Sequence, residues 1–263
     1  MSKSVRGDNK MKRRVDSVAE RAIYDANLPR RSARRLRGRG SILAPVEEDL
    51  AELLLSRPAG CRLWPQQTEG PYLRDAPPKR TDIIEDRSGV PLRLGLRLVA
   101  ARTATPLAGA LVEVWHADSE GRYSGFPPFQ AKPGQVVTSE SVPREIVAPG
   151  ETFLRGAQRT DNRGVCAFRT IYPGWYPSRT VHIHLRARVG GRTATTQLYF
   201  PDEVTDDVFG VAPYTGRPPR DTTNGTDSIF TQEGGEQSIL HLVGTVRAGY
   251  TGVLCFAVVD DEE

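Results

Sequence analysis

The clearest pattern in the chain is the stretch 92–99, L-R-L-G-L-R-L-V, in which apolar residues recur at every second position. Side chains of an extended strand point to opposite faces in turn, so this alternation predicts a strand with one buried face. Shorter runs of similar texture predict strands at 110–115, 165–170, 181–188, 193–200, 239–246 and 253–258. Helical spacing is confined to the N-terminal part. Val15, Val18, Ala19, Ala22 and Ile23 fit a short amphipathic helix over 12–26, ended by Pro29. A second helix begins at Pro45, carries Glu47, Glu48 and Asp49 in its first turn, and sets Val46, Leu50, Leu53 and Leu54 on one face. That face must pack either on the body or on a second subunit of a homodimer. Almost no helical pattern follows residue 56, and the Pro- and Gly-rich stretch 126–157 reads as a long excursion. Many short strands divided by turn chemistry predict an all-β, antiparallel sandwich with a short N-terminal helical extension. The expected organisation is a basic arm over 1–43, an amphipathic helix and connector over 44–62, and a β-sandwich catalytic domain over 63–263.

Composition agrees with a turn-rich β protein: 20 Pro and 25 Gly stand among 263 residues. The net charge of +4 is misleading, because residues 1–40 hold 13 Lys and Arg against 4 Asp and Glu, leaving the remainder acidic. The arginine run over 30–39 could meet nucleic acid or an anionic surface. A solvated arm is the preferred reading, since no aromatics are interleaved with the arginines, and no nucleic-acid partner is expected. Cys61, Cys166 and Cys255 are odd in number and lack metal-type spacing, which suits a reducing compartment. No apolar run approaches the ~18 residues of a membrane span, and no signal-like apolar stretch follows the basic N-terminus. The expectation is a soluble cytoplasmic protein.

The chemistry gathers at Y-P-G-W-Y-P-S-R-T-V-H-I-H over 172–184. On a strand, His182 and His184 share one face, with Val181, Ile183 and Leu185 on the other. Two imidazoles so placed can converge on a metal, and the chain has only four histidines. No cysteine or carboxylate closely flanks the pair, which weakens a structural zinc site or a His-carboxylate iron site. Phenols do flank it: Tyr176 in the preceding turn and Tyr123 at the end of the connection D-S-E-G-R-Y-S-G. A phenol titrates near 10, so only a strongly Lewis-acidic cation holds it as phenolate at neutral pH; ferric iron is the natural candidate. Among neighbouring residues, Trp115 reads as core, His116 as a supporting or surface residue, His241 as a satisfied sheet histidine, and Arg186 and Arg188 as solvated or salt-bridged.

These stretches resemble the intradiol ring-cleavage dioxygenases, the catechol and protocatechuate dioxygenase superfamily, and most closely its branch with a short tyrosine-to-histidine spacing. The likeness is carried by T-E-G-P-Y (68–72), P-L-A-G-A-L-V-E-V-W-H-A-D-S-E-G-R-Y-S-G (106–125) and the 172–184 stretch. T-T-Q-L-Y-F-P (195–201) and R-D-T-T-N-G-T-D-S-I-F (220–230) extend it. The resemblance implies that Tyr123, Tyr176, His182 and His184 hold one non-haem Fe(III) per chain, with hydroxide completing the shell. It assigns Arg179 to negative charge building on the substrate ring, Tyr176 also to accepting a substrate proton, and Gln197 to the substrate pocket. Gly70, Pro71 and Tyr72 fall at the pocket wall. The implied reaction takes a catechol-type diol and O2 to a cis,cis-muconate-type diacid, with the ring substituents left open. In exported members of the branch a cysteine near Cys61 pairs with one whose place here falls near Ala104, so Cys61 is expected to stay a thiol. The rival reading is a transthyretin-like sandwich that only binds, since fold alone does not fix activity.

Overall fold

A computed structural model of the chain describes residues 48–56, 60–129 and 142–259. The predicted helix over 12–26, the arginine run, Pro45, Val46 and Glu47 lie outside the described residues. Chain order is α1 (Glu48–Leu55), β1 (Arg62–Leu63), β2 (Pro91–Ala100), β3 (Leu111–Trp115), β4 (Arg155–Arg159), β5 (Val165–Ile171), β6 (His182–Val189) and β7 (Arg192–Tyr199). Then follow α2 (Asp202–Phe209), α3 (Ser228–Gln232), β8 (His241–Thr245) and β9 (Gly249–Val258). One sheet runs β1-β9-β2-β5 with β8 on β9; the other runs β4-β3-β6-β7. The all-β sandwich is therefore observed. The second sheet is wholly antiparallel, whereas β9 lies parallel to both β1 and β2 in the first. Chain separation allows this, because parallel neighbours need only a long crossover.

The alternation over 92–99 does what the pattern requires. Leu92, Leu94, Leu96 and Leu98 are buried between the sheets, facing Val112 and Val114 of β3 and Ile183 and Leu185 of β6. The outer face of the first sheet is covered by α1. Leu50 and Leu54 pack with Val165 and Val253, and Leu50 lies over Gly95, where a Cβ would come within 2.9 Å of it. Asp49 fixes the helix by a two-point ion pair with Arg93 at 2.9 and 3.1 Å. The apolar helix face thus packs on the body, with each buried leucine contributing about 1.5–3 kcal/mol.

Three expectations are revised. Within the 126–157 excursion, residues 155–159 form β4, an edge strand whose sequence R-G-A-Q-R has no apolar alternation. Gly156 suits close packing there: a Cβ would sit 2.5 Å from the Ile83 side chain. Helix also returns after residue 56, in α2 and α3. The α2 sequence D-E-V-T-D-D-V-F buries only Thr205 and Val208, so its apolar signal is faint. Finally, Cys61 is not a thiol. It is bridged to Cys255, 194 residues away, with Cα atoms 4.5 Å apart. The register explains the pairing: Arg62 of β1 lies beside Phe256 of β9, which brings the preceding residues of both strands together. Cys166 alone remains reduced, buried, with its thiol pushed up by burial. With a bridge present, the cysteines no longer argue for a reducing compartment. Among the described residues no helix is long and apolar enough to cross a membrane.

Opening the bridge by Cys255→Ser is expected to cost about 2–5 kcal/mol of unfolding free energy. Urea denaturation of both proteins would measure it; matching curves would mean that strand pairing alone holds β1.

Candidate metal centre

Strand β6 sits in the middle of its sheet, and its alternation sends Ile183 and Leu185 into the core and His182 and His184 to the opposite face. Both imidazoles are buried. Across the strand pairs, His184 is flanked by Trp115 and Gln197, and His182 by Tyr199. The Trp115 ring lies parallel to His184 with centroids 5.0 Å apart. Trp115 is buried, as expected, but in the aromatic cluster over this site, with Tyr72, Tyr123, Phe126 and Tyr176.

Two loops deliver the phenols. The loop before Tyr123 is pinned by Asp118, whose Oδ1 accepts the backbone N–H groups of Glu120 at 3.0 Å and Arg122 at 2.9 Å. Gly121 takes φ +82° there, and a Cβ would strike the Trp175 carbonyl oxygen at 2.1 Å. Tyr176 lies in a turn where the Arg179 N–H returns to the Tyr176 carbonyl at 3.3 Å. Ser178 takes φ +68°, and its N–H is held by the Asp221 carboxylate at 3.2 Å.

The result is one point faced by four donors. His182 Nε2 lies 3.1 Å from His184 Nε2, 3.2 Å from Tyr176 Oη and 3.5 Å from Tyr123 Oη. His182 Nδ1 is 2.6 Å from the Thr180 carbonyl, so it carries the proton and Nε2 presents its lone pair. Two ligands at right angles, each about 2.1 Å from one ion, stand about 3 Å apart. Burial, reinforced by Arg179 beside His182 and by His182 beside His184, holds both imidazoles well below their usual range and therefore neutral. Burial also pushes Tyr123 and Tyr176 above the usual phenol range. Without a cation both phenols keep their protons; with a trivalent cation at the shared point they become its anionic ligands. The donor set fits such an ion.

Around the four donors stand the other expected site residues. Arg179 donates from Nε to Asp227 at 2.8 Å and from a terminal nitrogen to Gln197 Oε1 at 2.5 Å. Burial opposes its charge, yet Tyr176, Asp227 and Tyr199 outweigh this and hold it protonated. Gln197 donates in turn to the Thr68 carbonyl at 3.0 Å. The 68–72 segment forms a wall: Gly70 presses on His184, Pro71 is half-buried, and Tyr72 stacks on Tyr123 with centroids 4.2 Å apart. Thus all nine expected residues fall in one neighbourhood.

The family model described as Dioxygenase matches residues 68–213. Among solved structures, an intradiol ring-cleavage dioxygenase from Tetranychus urticae is 33% identical, with a TM-score of 0.65 over 75% of this chain and 94% of that one. The chain belongs to the intradiol ring-cleavage dioxygenase family. The dioxygenase domain of a carbohydrate-binding fusion protein from Streptomyces sp. SirexAA-E is 30% identical, with a TM-score of 0.53 over 76% of this chain and 99% of that one. A chlorocatechol 1,2-dioxygenase of Pseudomonas sp. (strain P51) is 30% identical over 155 residues, covering 55% of this chain and 60% of that protein. This intradiol-family chain therefore spans little more than half the length of that curated relative.

Sequence reasoning passed over two residues of this intradiol-family site. Asp227 is fully buried; it holds Arg179 and the Thr180 N–H, each at 2.8 Å, and caps α3 through Ile229 and Phe230. Its signal was the Asp before S-I-F, an ordinary helix cap. Arg155 was hidden in the excursion. Of the two readings of His116, the surface one is corrected, because the residue is buried. Its ring nitrogens meet the Ala117 carbonyl at 2.8 Å and Thr170 Oγ1 at 2.6 Å, and burial draws its pKa down to about 4. Arg186 forms a buried ion pair with Glu113, and Arg188 reaches the same carboxylate at 3.6 Å.

Gly70→Ala offers a direct test of the wall. Its Cβ would meet His184 Cε1 at 2.9 Å from a backbone at φ +68°, a conformation that itself costs about 1–2 kcal/mol outside glycine. Metal content per folded chain should drop severalfold; undiminished content would show that His184 yields without consequence.

Proposed function

We propose that this chain is a non-haem Fe(III)-dependent intradiol dioxygenase that cleaves a catechol-type diol with O2 to a cis,cis-muconate-type diacid. The convergence of Tyr123, Tyr176, His182 and His184 on one buried point carries the reading. Two neutral imidazoles and two phenols suit a hard trivalent cation, one per chain. When bound, ferric iron would activate the chelated diol towards O2. Held as phenolate, Tyr176 Oη would take a proton from a diol hydroxyl, and Arg179 nearby favours the phenolate against burial. Arg179, fixed between Asp227 and Gln197, presents a preorganised positive charge to the oxygen and ring positions where negative charge develops. Tyr72, Phe126 and Tyr176 with half-buried Phe129 and Val142 make an apolar wall that excludes water from the ring. Gly70 and Pro71 complete that wall, and Gln197 adds a polar contact. A sandwich that only binds would have no use for two imidazoles and two phenols gathered at one buried point. The names of the curated relatives make catechol and chlorocatechols the first diols to assay, ahead of protocatechuate and hydroxyquinol.

Protein purified with iron is expected to be red-brown from phenolate-to-iron charge transfer, to change colour with catechol, and to consume O2. A colourless protein that contains iron and does not respond to catechol would sink the proposal. Arg179→Leu should keep iron and colour while kcat falls by about 10²–10³-fold; wild-type turnover in that variant would remove Arg179 from the chemistry.

A further inference from the structure

Two buried side chains beside this site hold other protein groups in place. Arg155, at the start of β4, donates to Ser124 Oγ at 2.7 Å and to the Tyr72 and Ser124 carbonyls at 2.9 and 3.2 Å. Asp227 holds more, because its two carboxylate oxygens have separate partners. Oδ1 accepts the N–H groups of Ile229 at 2.8 Å and Phe230 at 3.0 Å, which caps α3. Oδ2 accepts Arg179 Nε and the Thr180 N–H, each at 2.8 Å. Just past α3, the Glu233 carbonyl accepts Gln67 Nε2 at 3.1 Å, and Gln67 Oε1 accepts the Gln197 N–H at 2.9 Å. Gln197 Oε1, accepting from Arg179 at 2.5 Å, closes the circuit.

A helix cap needs one oxygen, and serine would cap as well. The second oxygen of Asp227 is what the cap does not explain. It meets the guanidinium and the peptide of Thr180 together, and the Thr180 carbonyl lies 2.6 Å from His182 Nδ1. Both clamps on the guanidinium, Asp227 and Gln197, are also referred to α3. We propose that Asp227 is a positioning residue that fixes the Arg179 guanidinium relative to the four-donor point, touching neither substrate nor metal. This rests on Arg179 acting on the substrate as proposed above. A guanidinium that loses its buried carboxylate is an uncompensated charge and turns away from the site. Displacement of about 1 Å is enough to cost about 100-fold in rate.

Asp227→Asn keeps the shape and, with its oxygen on the cap, sets an NH2 group against two other donors. In the iron-loaded full-length protein, kcat should fall about 10–100-fold while KM stays within about threefold. Thr180 keeps its side-chain bond to Asn224 at 2.8 Å, so iron affinity by chelator competition should change less than about threefold. Crystal structures of wild type and variant should show the guanidinium displaced by about 1 Å or more, with the four donors in place. In an Arg179→Leu background, Asp227→Asn should cost less than about threefold further in kcat. Wild-type kcat, an unmoved guanidinium, or a full additional loss in the leucine background would each overturn the proposal. Iron affinity falling as far as kcat would also overturn it, by showing a merely structural role. Iron-loaded wild type that turns over no diol would instead overturn the proposed function, and the crystal structures would still decide whether Asp227 positions Arg179. Should Asp227→Asn not fold, Asp227→Ser, which caps a helix but falls short of Arg179, carries the same measurements.

Discussion

Two imidazole nitrogens held 3.1 Å apart, with two phenol oxygens crowding the same point, make an arrangement that a protein interior does not favour by itself. With water excluded, the four atoms have only one another's protons and lone pairs to satisfy them, and His182 Nε2 alone faces three neighbours. The surroundings must therefore be rigid enough to impose this closeness. Much of the fold serves that end. The histidines stand on the central part of a four-stranded sheet, Thr180 fixes the tautomer of one, and Gly70 and Trp115 bound the ring of the other.

The same demand accounts for the loops. Strands place side chains at fixed intervals on flat faces, and a compact cation needs donors from more than one direction. Tyr123 and Tyr176 come from turns, where a positive-φ Gly121 and Ser178 bend the backbone towards the sheet. Asp118, Asp221 and Asp227 hold these bends through backbone N–H groups, so acidic side chains around the centre serve as loop anchors. Within the described residues they leave the shared point to imidazole nitrogen and phenol oxygen.

Most of the sandwich was legible because β2 and β6 turn alternate apolar residues into the core between the sheets, and that period survives in the sequence. The site was legible in part for the same reason: a two-residue spacing puts His182 and His184 on one face. The tyrosines were visible as phenols flanking the histidine pair, but only the resemblance joined all four into one proposed ligand set, since no local pattern separates a ligand phenol from a packed one. What escaped depended on long-range pairing. β4 lacks an apolar alternation because its neighbours, not its own side chains, cover Gly156. Cys61 finds Cys255 through strand register, which cysteine spacing does not encode. Asp227 and Arg155 act through contacts 48 and 83 residues away in sequence.

The Cys61–Cys255 bridge has a consequence for the integrity of the centre. It encloses nearly every described residue after α1, including all the proposed ligands, in one covalent loop. A single backbone cut anywhere between the two cysteines would leave both fragments joined, each still packed in the shared sheets. Damage that would separate an open chain into diffusing halves here leaves the halves captive to each other, so the proposed ligands can stay assembled on a nicked scaffold.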